Sequence, residues 1–133
     1  MATYGCETWA MTATTEKKVS AFEMKCYRKV LRISWTQRRS NADIRKDLNI
    51  EEDWLLKTIK KRKLKYFGHI KIHNDLERLI MEGKVPGKRE RGRPRRRWTQ
   101  DIEDLLQMTM EEAGQLGQNR EAYRVAVRTT FCK

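Results

Sequence analysis

The chain has 133 residues, with 30 Lys and Arg against 18 Asp and Glu, a net charge of +12 and a pI near 9.9. That length suits one domain, and that charge calls for a polyanionic partner, nucleic acid first and an anionic membrane surface second. No apolar run approaches the roughly 20 residues of a membrane span, the start lacks a signal-peptide layout, and Cys6, Cys26 and Cys132 without a CxxC argue against a disulfide framework.

Leu, Ile, Val and Phe supply just under a fifth of the chain, so the reading is a folded but marginally stable domain. Residues 1–14 form a turn-like lead-in segment, with Tyr4 and Trp9 set to pack onto the next element of the chain. From Glu16 the period becomes helical. Val19, Phe22, Cys26, Val30 and Ile33 recur at steps of three and four, widened by Tyr27 and Leu31. This predicts an amphipathic helix from about Thr15 to Ile33, with Cys26 in its core.

Ser34-Trp35-Thr36 breaks that helix, Ser40 or Asn41 caps a short one carrying Ile44 and Leu48, and Asn49 closes it. A third helix begins near Glu51, its acids Glu51, Glu52 and Asp53 at the positive end of the dipole. Trp54, Leu55, Ile59, Tyr66, Phe67 and Ile70 make its apolar side. Lys57, Lys60, Lys61, Arg62, Lys63 and Lys65, six of nine residues, make a basic ridge. Asn74-Asp75 starts a shorter helix through Leu76, Leu79 and Ile80, ending at Gly83.

Residues 84–97 are an extended cationic strip. Lys84, Lys88, Arg89, Arg91, Arg93, Arg95, Arg96 and Arg97 are opposed only by Glu90, and Gly87, Gly92 and Pro94 forbid a continuous helix. Lys84-Val85 is the only doubtful strand. Beyond it, Trp98, Ile102, Leu105 and Leu106 resume helical spacing, and Thr109 with Glu112 matches a capping box. Gly117 and Asn119 punctuate, and a last helix carries Tyr123, Val127 and Phe131. The class is all-α, a small bundle of about five to six helices. It divides into the 1–14 segment, a helical domain over 15–83, the 84–97 strip and a helical subdomain over 98–133. Acids outnumber bases from Thr99 onward, so the positive field is assigned to the first hundred residues.

The ridge suits phosphate tracking, with an ordinary solvated helix face as the plain alternative. The strip, RGRPRRR, suits either a minor-groove hook in A·T-rich DNA or a basic linker. The candidate nucleic-acid contacts are therefore Lys57, Lys60, Lys61, Arg62, Lys63 and Lys65 on the helix and Lys88, Arg89, Arg91, Arg93, Arg95, Arg96 and Arg97 on the strip. His69 and His73 stand four apart, but no Cys or acid at ligand spacing joins them, so they are assigned no metal. No Asp-Asp pair suited to holding two metal ions occurs, and neither Cys6 nor Cys132 has a neighbouring base that would make it a nucleophile. No catalytic residue, cofactor or small-molecule substrate is expected.

Four phrases, YGCETW at 4–9, AFEMKCYRKVLRISW at 21–35, TIKKRKLKYFGHI at 58–70 and GRPRRRW at 92–98, appear together and in order. Over nearly its whole length the chain resembles the C-terminal region of the endonuclease–reverse transcriptase of LINE-type (non-LTR) retrotransposons, of the RTE/BovB or jockey-like kind. The resemblance implies the helical thumb and tail that follow a polymerase palm, without the palm's paired aspartates or the endonuclease domain. It implies no enzyme activity in this chain alone. Its partners would be an RNA–DNA hybrid, target DNA or element RNA, and the upstream polymerase domain. Its place would be the nucleus, with a cytoplasmic ribonucleoprotein stage. Two other readings stay open: a stand-alone chromatin-type DNA-binding module built on the Arg-Gly-Arg-Pro hook, and an inactive pseudogene product.

Overall fold

The computed structural model describes residues 3–73, 76–81, 91–92 and 96–131. Among them are seven α-helices and no strand: α1 (Ala13–Val30), α2 (Asn41–Asp47), α3 (Trp54–Ile72), α4 (Leu76–Met81), α5 (Trp98–Leu106), α6 (Met110–Gln118) and α7 (Arg120–Phe131). The all-α class is as expected, with seven helices among the described residues against the expected five to six. The Asn74-Asp75 helix start, the Gly83 end, the doubtful strand at 84–85 and most of the cationic strip lie outside the described residues. The chain forms two compact units, Thr12–Thr58 and a second made of Met1–Met11 with Ile59–Lys133. The boundary therefore falls within α3. Residues on both sides of the 84–97 strip, which the sequence treats as a divider, share the second unit.

In the Thr12–Thr58 unit, local chemistry sets the helix ends. The Thr12 hydroxyl caps α1 by accepting from the Thr15 N–H, and Ser40 with Asp43 forms a capping box on α2. Both helices close with a left-handed residue, Arg32 at φ 53° and Asn49 at φ 54°. The N–H groups of Ile33 and Ile50 then return to the Arg28 and Arg45 carbonyls, each at 2.9 Å. Glu23 is buried for a specific reason. Its carboxylate accepts the Leu55 N–H at 3.2 and 3.3 Å at the start of α3, and the Tyr27 hydroxyl donates to it. Burial, reinforced by that carboxylate, pushes the Tyr27 hydroxyl up to about 12.

Glu23 thus ties α1 to an orphan donor of α3. Glu23→Ala is expected to destabilise this unit by about 2 kcal/mol, seen as faster hydrogen exchange over 13–47 with exchange over 98–131 unchanged. Equal acceleration in both stretches would remove this role.

The α1 stripe is only partly a core. Val19 and Met24 are buried, but Phe22 is 47% exposed, Val30 78%, and Cys26 lies at the surface. Period sets which face is apolar, and two helices with the start of a third do not cover all of it. Trp35 is also exposed, at 87%.

In the second unit, Leu64 and Phe67 of α3 join Ile102, Leu106, Ala113, Tyr123 and Val127 in one buried cluster, with Trp98, Leu105, Leu116 and Phe131 at its edge. Thr109 and Glu112 form the expected capping box on α6. Bonds from Thr109, its backbone N–H first, hold the Glu112 carboxyl below its ordinary range. Gly117 does not end α6; it lies buried within it. A Cβ on Gly117 would stand 3.2 Å from Lys71 Cβ, and one on Gly68 only 2.6 Å from a ring carbon of Tyr123. Gly68 therefore lets α7 approach α3 closely, and the Tyr123 hydroxyl donates to the Leu64 carbonyl at 2.7 Å.

Residues 3–11 belong to this unit through their backbone. The Trp98 indole donates to the Glu7 carbonyl at 2.7 Å, and the Met11 N–H donates to Asp101 at 2.8 Å. Tyr4 does not bury; it is 84% exposed, and Trp9 is partly exposed.

Candidate nucleic-acid interface

Lys63 requires the main correction among the expected contacts. It lies at the i+4 position from Ile59 and the i−4 position from Phe67, in line with buried Ile59, Phe67 and Ile70, and its own exposure is 0%. Its ammonium donates to the Asp101 carboxylate and the Trp9 carbonyl, with the Trp98 ring centroid at 5.7 Å. Asp101, itself buried, also accepts from Met11 and, at 2.6 Å, from Arg96 Nε. Burial pulls the Lys63 ammonium below the usual lysine range, while Asp101 pulls it the other way. This cation is a core strut with no access to a phosphate.

Other expected contacts are engaged too. Lys57 pairs with Glu52 at 2.7 Å, so the ridge is not free of acids. Arg62 donates to the Thr3 carbonyl at 2.6 Å. Arg96 bridges Asp101 and Asp104, which raises its already high pKa. Lys60 is half-buried, and Arg91 and Arg97 are exposed. The Arg97 N–H donates to Gln100 at the start of α5. Lys88, Arg89, Arg93 and Arg95 lie outside the described residues.

Lys61 and Lys65 are brought into a different arrangement. They line a groove of about 890 Å³ between α3 and α7. One wall is Lys61, Lys65, His69 and His73, a row at steps of four that spans about 18 Å along α3 to the first residue past its end, at 1.5 Å per residue. The other is Arg120, Arg124 and Arg128, again at steps of four on α7. Each row lies beside a buried stripe, Leu64–Gly68 on α3 and Tyr123–Val127 on α7, so packing of the stripes brings the rows face to face. Gly68, Ile72, Gly117, Tyr123 and Val127 complete the lining.

Among the described residues lining this groove there is no acid. None of its five permanent cations is paired with a described carboxylate. A cleft walled by one sign of charge over a low-dielectric floor focuses its field outward, which favours a polyanion.

The arginine row corrects the assignment of the positive field to the first hundred residues. The acids beyond Thr99 lie mostly on α5 and α6, and netting them against the bases hides three arginines on one face of α7. Spacing at i, i+4 and i+8 beside Tyr123 and Val127 is the clue the sequence carries.

No cluster of three metal-ligating side chains occurs among the described residues, and no described helix is long and apolar enough to cross a membrane. No protein-family model, curated protein or solved structure matches this chain.

Proposed function

We propose that this chain is a non-catalytic, thumb-like nucleic-acid-binding region of a non-LTR retrotransposon RNA-directed DNA polymerase. It grips template–primer or target duplex by the phosphate backbone without reading sequence. The observation that carries the binding reading is the α3–α7 groove, with five cations on two walls and no described acid. The ring of Tyr123 in its lining is buried with its hydroxyl committed to Leu64, so no Phe, Tyr or Trp face in the groove is open to bases. Charge without a base-reading surface supports affinity and register, not sequence choice. The retrotransposon assignment rests on the four sequence phrases, and nuclear action follows from that assignment.

Competition binding at fixed salt tests this reading. An RNA–DNA hybrid is expected to displace a labelled duplex several-fold better than A·T-rich B-form DNA of equal length, with little difference among scrambled hybrids. Preference for A·T-rich DNA would favour a minor-groove hook on the Arg-rich strip instead.

A further inference from the structure

The chain has only two histidines, and both line the groove. His69, on α3, and His73, the first residue past its end, are four residues apart and both exposed, with ring centroids 4.5 Å apart. Among the described residues that line the groove with them, the charged groups are cations: Lys61 and Lys65 in the same row, and Arg120, Arg124 and Arg128 across the groove. Lys71, also on α3, carries its ammonium towards Gly114 and the Phe67 ring. Imidazole is the side chain whose charge ordinarily changes between pH 5 and 8.

We propose that His69 and His73 are phosphate ligands of this groove and make its grip proton-linked, so that binding a nucleic-acid backbone draws protons onto both rings. This rests on the backbone-binding reading of the groove. In the free protein the surrounding lysines and arginines oppose two further positive charges so close together. A phosphate strand between the walls screens that repulsion and gives each imidazolium an acceptor. By reciprocity, protons that favour binding are taken up on binding. Burial pushes the Tyr123 hydroxyl upward, away from the imidazole window.

The test uses the full chain and a mixed-sequence RNA–DNA hybrid, with affinity measured by fluorescence anisotropy at about pH 6 and pH 8 at constant ionic strength. The native chain is expected to bind about tenfold tighter at the lower pH, the gain from a net uptake averaging about half a proton across that range. His69→Gln/His73→Gln should bind more weakly than the native chain at pH 6 and change less than about twofold between the two. Both side chains are exposed, so an unchanged melting temperature should accompany that variant. A flat native profile, or a double variant that keeps the tenfold gain, overturns the proposal. Arg124→Ala/Arg128→Ala serves as the separate control. If it binds as tightly as the native chain, the groove reading itself fails, whatever the histidines do.

Discussion

Asp101→Ala is expected to destabilise the unit formed by Met1–Met11 and Ile59–Lys133 by about 3–5 kcal/mol, the usual cost of breaking a buried ion pair from one side. The Lys63 ammonium, with no exposed surface, would keep only the Trp9 carbonyl and the Trp98 ring. The Met11 N–H and Arg96 would lose their shared acceptor as well. Lys63→Met/Asp101→Leu should recover much of that loss, since an apolar pair of similar volume is often as stable as the ions it replaces. Urea unfolding of Lys63→Met, Asp101→Leu and the double variant gives the coupling energy, expected at about 2 kcal/mol or more. Lys61→Ala, on the exposed wall, should change stability by no more than about 0.5 kcal/mol. A cost below about 1 kcal/mol for Asp101→Ala would contradict the buried strut.

The second large effect is on binding. Arg120→Ala/Arg124→Ala/Arg128→Ala should lower the log–log salt slope of duplex binding by about 2.7, at roughly 0.9 per lost phosphate contact. At about 0.1 M salt that corresponds to a loss of roughly 500-fold in affinity, vanishing towards 1 M. Lys63 belongs to a different class: its removal should act through folding, with the salt slope of the folded fraction retained. A triple arginine variant with the native slope would place the backbone contacts elsewhere.

The contrast between these two sets of residues shows what is legible in the sequence. Helix ends are readable because they depend on near neighbours. The Ser40–Asp43 and Thr109–Glu112 boxes, and the left-handed Asn49, sit where local chemistry puts them. Period places the first helix within two or three residues of its true bounds, Ala13–Val30.

Residues whose roles depend on distant partners are not readable in the same way. Residue type alone assigns Lys63 to solvent, although its position between Ile59 and Phe67 puts it on the buried stripe. Its acceptor, Asp101, is 38 residues away. Phe22 and Val30 read as core because period identifies an apolar face but not whether another element covers it.

The groove escapes a linear reading for a related reason. One wall is on α3 and the other on α7, and only the close approach allowed by Gly68 makes them face each other. Half of the candidate site is legible in the sequence, as Lys61 and Lys65. The other half is hidden when charge is averaged along a segment instead of around a helix.

Lysine acetylation, read by mass spectrometry with and without saturating RNA–DNA hybrid, tests the groove most directly. Lys61 and Lys65 are expected to react in the free chain and to be strongly protected in the complex, Lys63 to be unreactive in both, and exposed Lys17, Lys18 and Lys25 to react equally in both. Unprotected Lys61 and Lys65 in a chain fully bound to hybrid would contradict the groove as the site that holds the nucleic-acid backbone.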